Sequence, residues 1–225
     1  MSNHGEPRKR PETDLRLSRA SVGRLSLYLR RLEELHAEGV GKVSSGLVGE
    51  ALGVTDTQVR KDLASLGRLG HPGIGYDVSD LIAAIRSTLG IDREWSAALV
   101  GVGNLGRALL RYQGLAARNF RIVALFDTDP AKVGQVAEGL VVHPTSQLGE
   151  VLPPVGANLG ILTVPASAAQ NVADELIAAG VKGLLNFAPS VVRAPAGVSV
   201  VNVDLTMQLE QLAFLVHMAA SERLD

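Results

Sequence analysis

The run Gly101-Val102-Gly103-Asn104-Leu105-Gly106 constrains the fold of this chain more than any other feature. An apolar segment, 97–100, precedes it, and a segment with helical spacing follows. A glycine triplet alone is a weak signal, but at a strand-to-helix junction each glycine has a task. Gly101 permits the turn, Gly103 lets a pyrophosphate approach the backbone, and Gly106 lets helix and strand pack closely. The helix N-terminus adds N–H donors and positive potential for the phosphates. From Trp95 onward, apolar strands at 121–126, 140–142, 159–164, 183–187 and 198–203 follow, and the strongest helix, 166–179, is closed by Gly180. Strand and helix in alternation predict an α/β fold, a doubly wound parallel sheet of the Rossmann type.

Asp127 ends the second strand, 26 positions after Gly101. A carboxylate there accepts both hydroxyls of an adenine ribose and repels a 2′-phosphate. Neither Thr128 nor Asp129 offers the cation a 2′-phosphate wants, so NADH and NAD+ are favoured over NADPH and NADP+. The loops Thr163-Val164-Pro165 and Asn186-Phe187-Ala188-Pro189 also leave strands at their carboxyl ends, where ligands bind in such sheets. The first also caps a helix; together they are expected to wall the nicotinamide. The expected cofactor-binding set is therefore Gly101, Val102, Gly103, Asn104, Leu105, Gly106, Asp127, Thr163, Val164, Pro165, Asn186 and Phe187.

Catalysis is not expected from this set. Hydride transfer needs an acid or base beside its substrate. Of His4, His36, His71, His143 and His217, only His143 falls in the sheet region, on the adenosine side. The sheet region barely completes a nucleotide fold and leaves no substrate domain. Cysteine is absent, which excludes disulfides, thiolate metal sites, Fe–S clusters and thiol nucleophiles. The cofactor reads as a signal and not a reagent, with no catalytic residue and no metal.

The front of the chain has another character. Residues 1–75 hold 12 Lys+Arg against 9 Asp+Glu and residues 76–225 hold 10 against 14, so the net charge of −1 conceals a mildly basic first third. Residues 1–17, with Arg8-Lys9-Arg10, predict a flexible tail. A helix over 21–37 repeats Val22, Leu25, Leu29 and Leu32 on one face. A short helix over 45–52, capped by Ser44 or Ser45, leads through Gly53-Val54-Thr55 into a third helix over 56–66. Thr55 and Gln58 fit a capping box, each side chain reaching the other's backbone N–H. Val59 and Leu63 face the core; Gln58, Arg60 and Lys61 point outward, suited to base edges and phosphates. This is a helix-turn-helix pattern, with a charged helical hairpin as the alternative. Four glycines within 67–76 predict a tight hairpin where a winged helix places its wing. A helix over 79–89 reads as a linker. The predicted domains are 18–90, winged helix-turn-helix, and 91–203, Rossmann, followed by a terminal helix within 204–225.

Taken in order, these segments resemble the redox-sensing transcriptional repressor family called Rex. The resemblance covers the chain after the tail. It is carried by Arg24-Leu25, Tyr28-Leu29-Arg30, Leu32-Glu33-Glu34-Leu35, Ser44-Ser45, Gln58-Val59-Arg60-Lys61-Asp62-Leu63 and Gly73-Ile74-Gly75-Tyr76. It continues through the glycine run, Phe126-Asp127-Thr128-Asp129-Pro130, Thr163-Val164-Pro165, Asn186-Phe187-Ala188-Pro189 and Asn202-Val203-Asp204-Leu205. It implies a homodimer that binds inverted-repeat operator DNA when NADH is low and releases it when NADH binds, with Ser44, Ser45, Gln58, Arg60 and Lys61 at the DNA. The family's wing carries a basic residue where Pro72 stands here, after His71, which leaves Arg68 as its replacement. The resemblance also implies a two-state network of Arg30, Tyr112 and Asp204.

The last helix, 205–220, is apolar around most of its circumference, so burial on several sides is expected, by its own sheet or, as the resemblance implies, as a swapped helix in a partner subunit. Two other functions fit less well. A small NAD-dependent oxidoreductase with an accessory helical domain does not account for Gln58, Arg60 and Lys61 on one outward face. A repressor sensing an acyl-CoA-type ligand does not account for Asp127. The opening residues have no apolar core of a secretory signal, and no apolar run reaches the ~18 residues of a membrane span. A cytoplasmic protein with neither a membrane nor a protein substrate as partner is expected.

Overall fold

A computed structural model describes residues 17–71 and 74–221, in two compact units, Met1–Asp92 and Arg93–Asp225. The tail before Leu17 and Pro72 in the wing lie outside the described residues.

In the first unit, α1 (Arg19–Ala37) starts at Ser18, whose hydroxyl accepts from the Ser21 N–H at 3.1 Å. Leu25, Tyr28, Leu29, Leu32 and Leu35 recur every three or four residues and are buried. After β1 (Lys42–Val43) come α2 (Ser45–Glu50) and α3 (Asp56–Ala64), each ending about two residues before the sequence pattern does. The wing is a hairpin of β2 (Gly70–His71) and β3 (Gly75–Asp77), and β1 adds to it in the order β1-β3-β2, all antiparallel. Gly75, at φ +89°, is needed here: a Cβ would strike the Val43 carbonyl. The next helix, α4 (Val78–Thr88), is no bare linker. Val78, Leu81 and Ile85 are fully buried against α1, and Arg86 pairs with Glu33 across the two helices at 2.9 Å.

The second unit holds a seven-stranded sheet. Its strands are β4 (Trp95–Val100), β5 (Phe120–Asp127), β6 (Val136–Ala137), β7 (Leu140–Pro144), β8 (Leu159–Leu162), β9 (Gly183–Asn186) and β10 (Ser199–Asn202). The order is β10-β9-β8-β4-β5-β7-β6, parallel except for the β6–β7 hairpin. It reverses between β4 and β8, the switch point of a doubly wound sheet. Alternate residues serve opposite faces. Ala98, Val100, Phe126 and Leu162 pack under α7 (Leu148–Val155) and α8 (Ala166–Ala178); Ala97, Leu99, Leu125 and Ile161 pack on the other side, with Leu109 and Leu110 near α5 (Asn104–Leu110). A short α6 (Gln113–Ala116) follows α5. β8 stops at Leu162, which frees Thr163 to Pro165 as a loop.

The last helix, α9 (Leu205–Ser221), departs from one expectation. Leu205, Leu209, Leu212, Phe214, Leu215 and Val216 are each more than half exposed, so it does not dock on its own sheet. Among the described residues no helix is long and apolar enough to cross a membrane.

Candidate functional site

In the second unit a cavity of about 570 Å³ opens at the carboxyl ends of β4, β5 and β8. It brings together Gly101, Gly103, Asn104, Leu105, Asp127, Thr163, Val164 and Pro165, together with Lys132 and Thr145. The three glycines serve three ends. Gly101 has φ +99°, and a Cβ there would strike the Thr163 carbonyl. A Cβ on Gly106 would strike the Gly101 carbonyl, so α5 sits hard against the turn. Gly103 has φ −84° and nothing of the chain within 4 Å of a Cβ. As N-cap of α5 it gives up the side-chain cap that Ser or Asp would supply. The fold does not demand glycine at 103, and the space a Cβ would take is open. First-turn N–H groups with no side-chain cap fit an anion.

Asp127 is held from three directions. The N–H of buried Val102 donates to Oδ2 at 2.7 Å, the Asp129 N–H donates to Oδ1 at 2.9 Å, and Lys132 Nζ lies 3.0 Å from Oδ2. Burial pushes this carboxyl up, but these donors outweigh it and hold it below the usual carboxylate range. Val102 thus steadies Asp127 and does not line the cavity. Neither Thr128 nor Asp129 is a cation, but the turn through Pro130 brings one back from five positions on, at Lys132, which the local sequence pattern does not reveal.

Two expectations about the loops need correction. The first loop supplies the N-cap of α8 only as Pro165, which makes no side-chain cap bond; the Thr163 hydroxyl instead donates to the Gly101 carbonyl at 2.7 Å and the Val100 carbonyl at 3.1 Å, fastening the glycine turn. Asn186 is fully buried and not at the cavity wall. Its Nδ2 donates to the Ser190 carbonyl at 2.8 Å and Asn202 Oδ1 at 3.0 Å, and its Oδ1 accepts from the Ala188 N–H at 3.0 Å. A buried amide must satisfy all its polar atoms, and the loop after β9 does so. Phe187 packs with the core cluster over β4 and β8. His143 faces the Phe126 ring at 5.9 Å.

In the first unit an open groove of about 1,070 Å³ lies between α3 and the wing. Ser44, Ser45, Arg60, Arg68, Ile74 and Tyr76 line it. Ser44 is the cap of α2, accepting from the Leu47 N–H at 3.1 Å. Ser45 is buried and accepts from Arg60, which also pairs with Asp56 at 2.6 Å. Lys61 is exposed but lies off the groove, and so does Gln58. The Thr55 hydroxyl accepts from the Gln58 N–H at 3.2 Å, but the Gln58 amide donates forward to Asp62 at 3.0 Å and is partly buried. It is not free for base edges as expected.

The reason is a buried hub that sequence reasoning missed. Asp62 is 4% exposed and takes both Arg24 donors, at 2.6 and 2.8 Å, and the Tyr28 hydroxyl at 2.9 Å. Arg24 above all holds its carboxyl below the usual range, against the pull of burial. A signal was present: Asp62 shares the apolar face of Val59 and Leu63, and an acid on a buried stripe demands a partner. Of the network Arg30, Tyr112 and Asp204, Arg30 is exposed on α1 and Tyr112 is exposed with its ring across Gly114. Asp204 Oδ1 accepts from the Thr206 and Met207 N–H groups at 2.9 and 3.1 Å, so it also caps α9.

Known proteins carry the same two-part plan. Residues 16–64 match a family described as "Putative DNA-binding protein N-terminus", and 92–190 match "CoA binding domain". The redox-sensing transcriptional repressor Rex of Desulfitobacterium hafniense is 45% identical over 202 residues, 90% of this chain and 96% of that protein. Among solved structures, RSP in complex with β-NAD+ and operator DNA aligns with TM-score 0.87 at 31% identity, covering 92% of this chain and 95% of that one. RSP in complex with β-NADH aligns with TM-score 0.83 at 31% identity, over 93% and 99%. RSP is described as a Rex-family repressor. These relatives are regulators, which disposes of the oxidoreductase alternative. With 45% identity spanning nine-tenths of its length, the chain belongs to the Rex family of redox-sensing transcriptional repressors.

Proposed function

We propose that this chain binds NADH and NAD+ at the β4–β5–β8 cavity, binds an inverted-repeat operator through the α3–wing groove, and leaves the operator when NADH binds. The observation that carries this reading is Gly103: a glycine the fold does not need, opening onto a cavity floored by an anchored carboxylate at the end of β5. A pyrophosphate fits against Gly103, and a ribose fits at Asp127. That carboxylate favours a ribose with free hydroxyls over an acyl-CoA-type ligand. The groove supplies Arg60 and Arg68 for phosphates, with Ser44 and Ser45 behind Arg60.

The working species is a homodimer in the cytoplasm. The exposed apolar residues of α9 need cover. An apolar recess of about 420 Å³ beside Leu159, Leu185 and exposed Val201 offers a second copy a place to dock. The test is an operator selected from random duplexes, followed by gel shifts with NADH and NAD+ titrated separately. Release by NADH at concentrations where NAD+ leaves the complex intact is the expected result; a complex indifferent to both dinucleotides overturns the reading.

A further inference from the structure

Lys132 has no place in the reading above, yet it faces the atom that reading depends on. Its Nζ lies 3.0 Å from Asp127 Oδ2 and 3.6 Å from Asp129 Oδ2. The contact is sheltered: Asp127 is 8% exposed and Lys132 29%. The lysine is carried on a built turn. The Asp129 carboxylate accepts from the Ala131 N–H at 2.9 Å, the Asp129 carbonyl accepts from the Lys132 N–H at 2.9 Å, and the Gly134 N–H donates to the Val142 carbonyl of β7 at 2.8 Å. Lys132 also lines a smaller recess behind the cavity, shared with Arg107 and Arg111. There Arg111 is paired with Glu138 at 2.8 Å.

We propose that Lys132 sets the dinucleotide specificity of this site: clamped between Asp127 and Asp129 it positions the ribose-binding carboxylate, and it becomes a 2′-phosphate ligand once Asp127 loses its charge. The charge count gives the reason. Two carboxylates and one ammonium leave a net charge of −1 where the adenine ribose ends, which repels a 2′-phosphate. Substituting Asp127 by Asn keeps the shape and one accepting oxygen, enough for the Val102 or the Asp129 N–H but not both, and it brings the cluster to neutrality and loosens the ammonium. A lysine so placed is a compact donor able to turn toward a phosphate oxygen. Specificity against NADPH therefore resides in the pairing of Asp127 with Lys132, not in the want of a cation. The proposal rests on dinucleotide binding in this cavity.

The test is calorimetric titration of the full chain with NADH and with NADPH. The parent should prefer NADH. Asp127→Asn should raise NADPH affinity relative to NADH by roughly 10- to 150-fold, the range for one hydrogen bond to a charged group. The double variant Asp127→Asn/Lys132→Met should lose that gain, and Asp127→Asn/Lys132→Arg should keep it, which a merely structural lysine would not explain. In the Asp127 background, Lys132→Met should weaken NADH and Lys132→Arg should restore it. A gain in NADPH affinity that survives Lys132→Met, or no gain in Asp127→Asn, overturns the role of Lys132 while NADH binding by the parent still stands. A parent that binds neither dinucleotide overturns the cavity assignment as well.

Discussion

A single carboxylate, Asp62, decides how α3 is presented. It joins α1 to α3 through Arg24 and Tyr28 and fixes Gln58 on the way. Asp62→Asn leaves the Tyr28 hydroxyl and the guanidinium with a poorer acceptor, and Asp62→Ala strands the fully buried hydroxyl, at a cost of about 1–3 kcal/mol read from the urea midpoint. The charge can be isolated by pH. The folded carboxyl titrates below its ordinary 3.8, so its contribution is complete above 3.8 and is lost as pH falls through the lower folded value. The stability difference between parent and Asp62→Asn should therefore narrow below pH 4; a constant gap would mean that the charge is idle. Burial first, and the Asp62 bond second, push the Tyr28 hydroxyl up to about 12, so its neutral form supports folding below pH 10 and that support fades as pH rises toward 12. At the cavity, Gly103→Ala should fold with an unchanged melting temperature but lose most NADH affinity, while Gly106→Ala should lower the melting temperature itself; calorimetry with and without NADH separates them. The turn at Gly101, the close packing at Gly106 and the place of Asp127 at the end of β5 were legible in the sequence because motif spacing fixes them. Lys132, Asn186 and the Asp62 hub were not, because their partners come from turns and helices brought together only by folding.

Elements were legible where pattern is local. The strand–glycine–helix junction read directly, as did Leu25, Leu29 and Leu32 on α1 and Val59 and Leu63 on α3, whereas Val22, expected on the same face of α1, is exposed. Pro153 and Pro154 hid α7, since proline inside a helix argues against one, and β6 was too short to announce itself. α4 read as a linker because an amphipathic helix at a domain boundary looks the same whether or not α1 waits to cover it. The α3–wing groove yields a prediction about charge. Arg60 and Arg68 line it and Lys61 does not. Arg60→Ala and Arg68→Ala should each weaken operator binding across sequences and each reduce the slope of log affinity against log salt by roughly one unit, as loss of one phosphate contact does. Anisotropy titrations over a salt series measure this. If Lys61→Ala flattens the slope and these two do not, DNA meets the opposite side of α3.

For the whole molecule the question is how one unit informs the other, and the family resemblance implies Asp204 as the joint. It is N-cap of α9, the helix whose apolar residues stand exposed, and one residue, Val203, separates it from β10 of the parallel sheet. Among the described residues only its Oδ1 serves the cap, and Oδ2 is the atom a cation or a phenol would meet. In the switch that the family resemblance implies, Asp204 would pair with Arg30 when NADH is absent and with Tyr112 when NADH is bound, so the two states would differ in which partner holds one carboxylate. A ligand shifts such a balance only by its differential affinity for the states, typically about 1–3 kcal/mol, or roughly 5- to 150-fold in operator affinity. Asp204→Asn is the informative change, because Asn caps a helix nearly as well as Asp and removes only the charge. It should weaken operator binding without NADH by a factor in that range while α9 and the melting temperature persist. Tyr112→Phe should bind NADH as the parent does and yet release operator poorly. Gel shifts on both variants, beside calorimetry for NADH, decide the matter: if Asp204→Asn grips operator normally and Tyr112→Phe releases it normally, the signal passes between the units by another route.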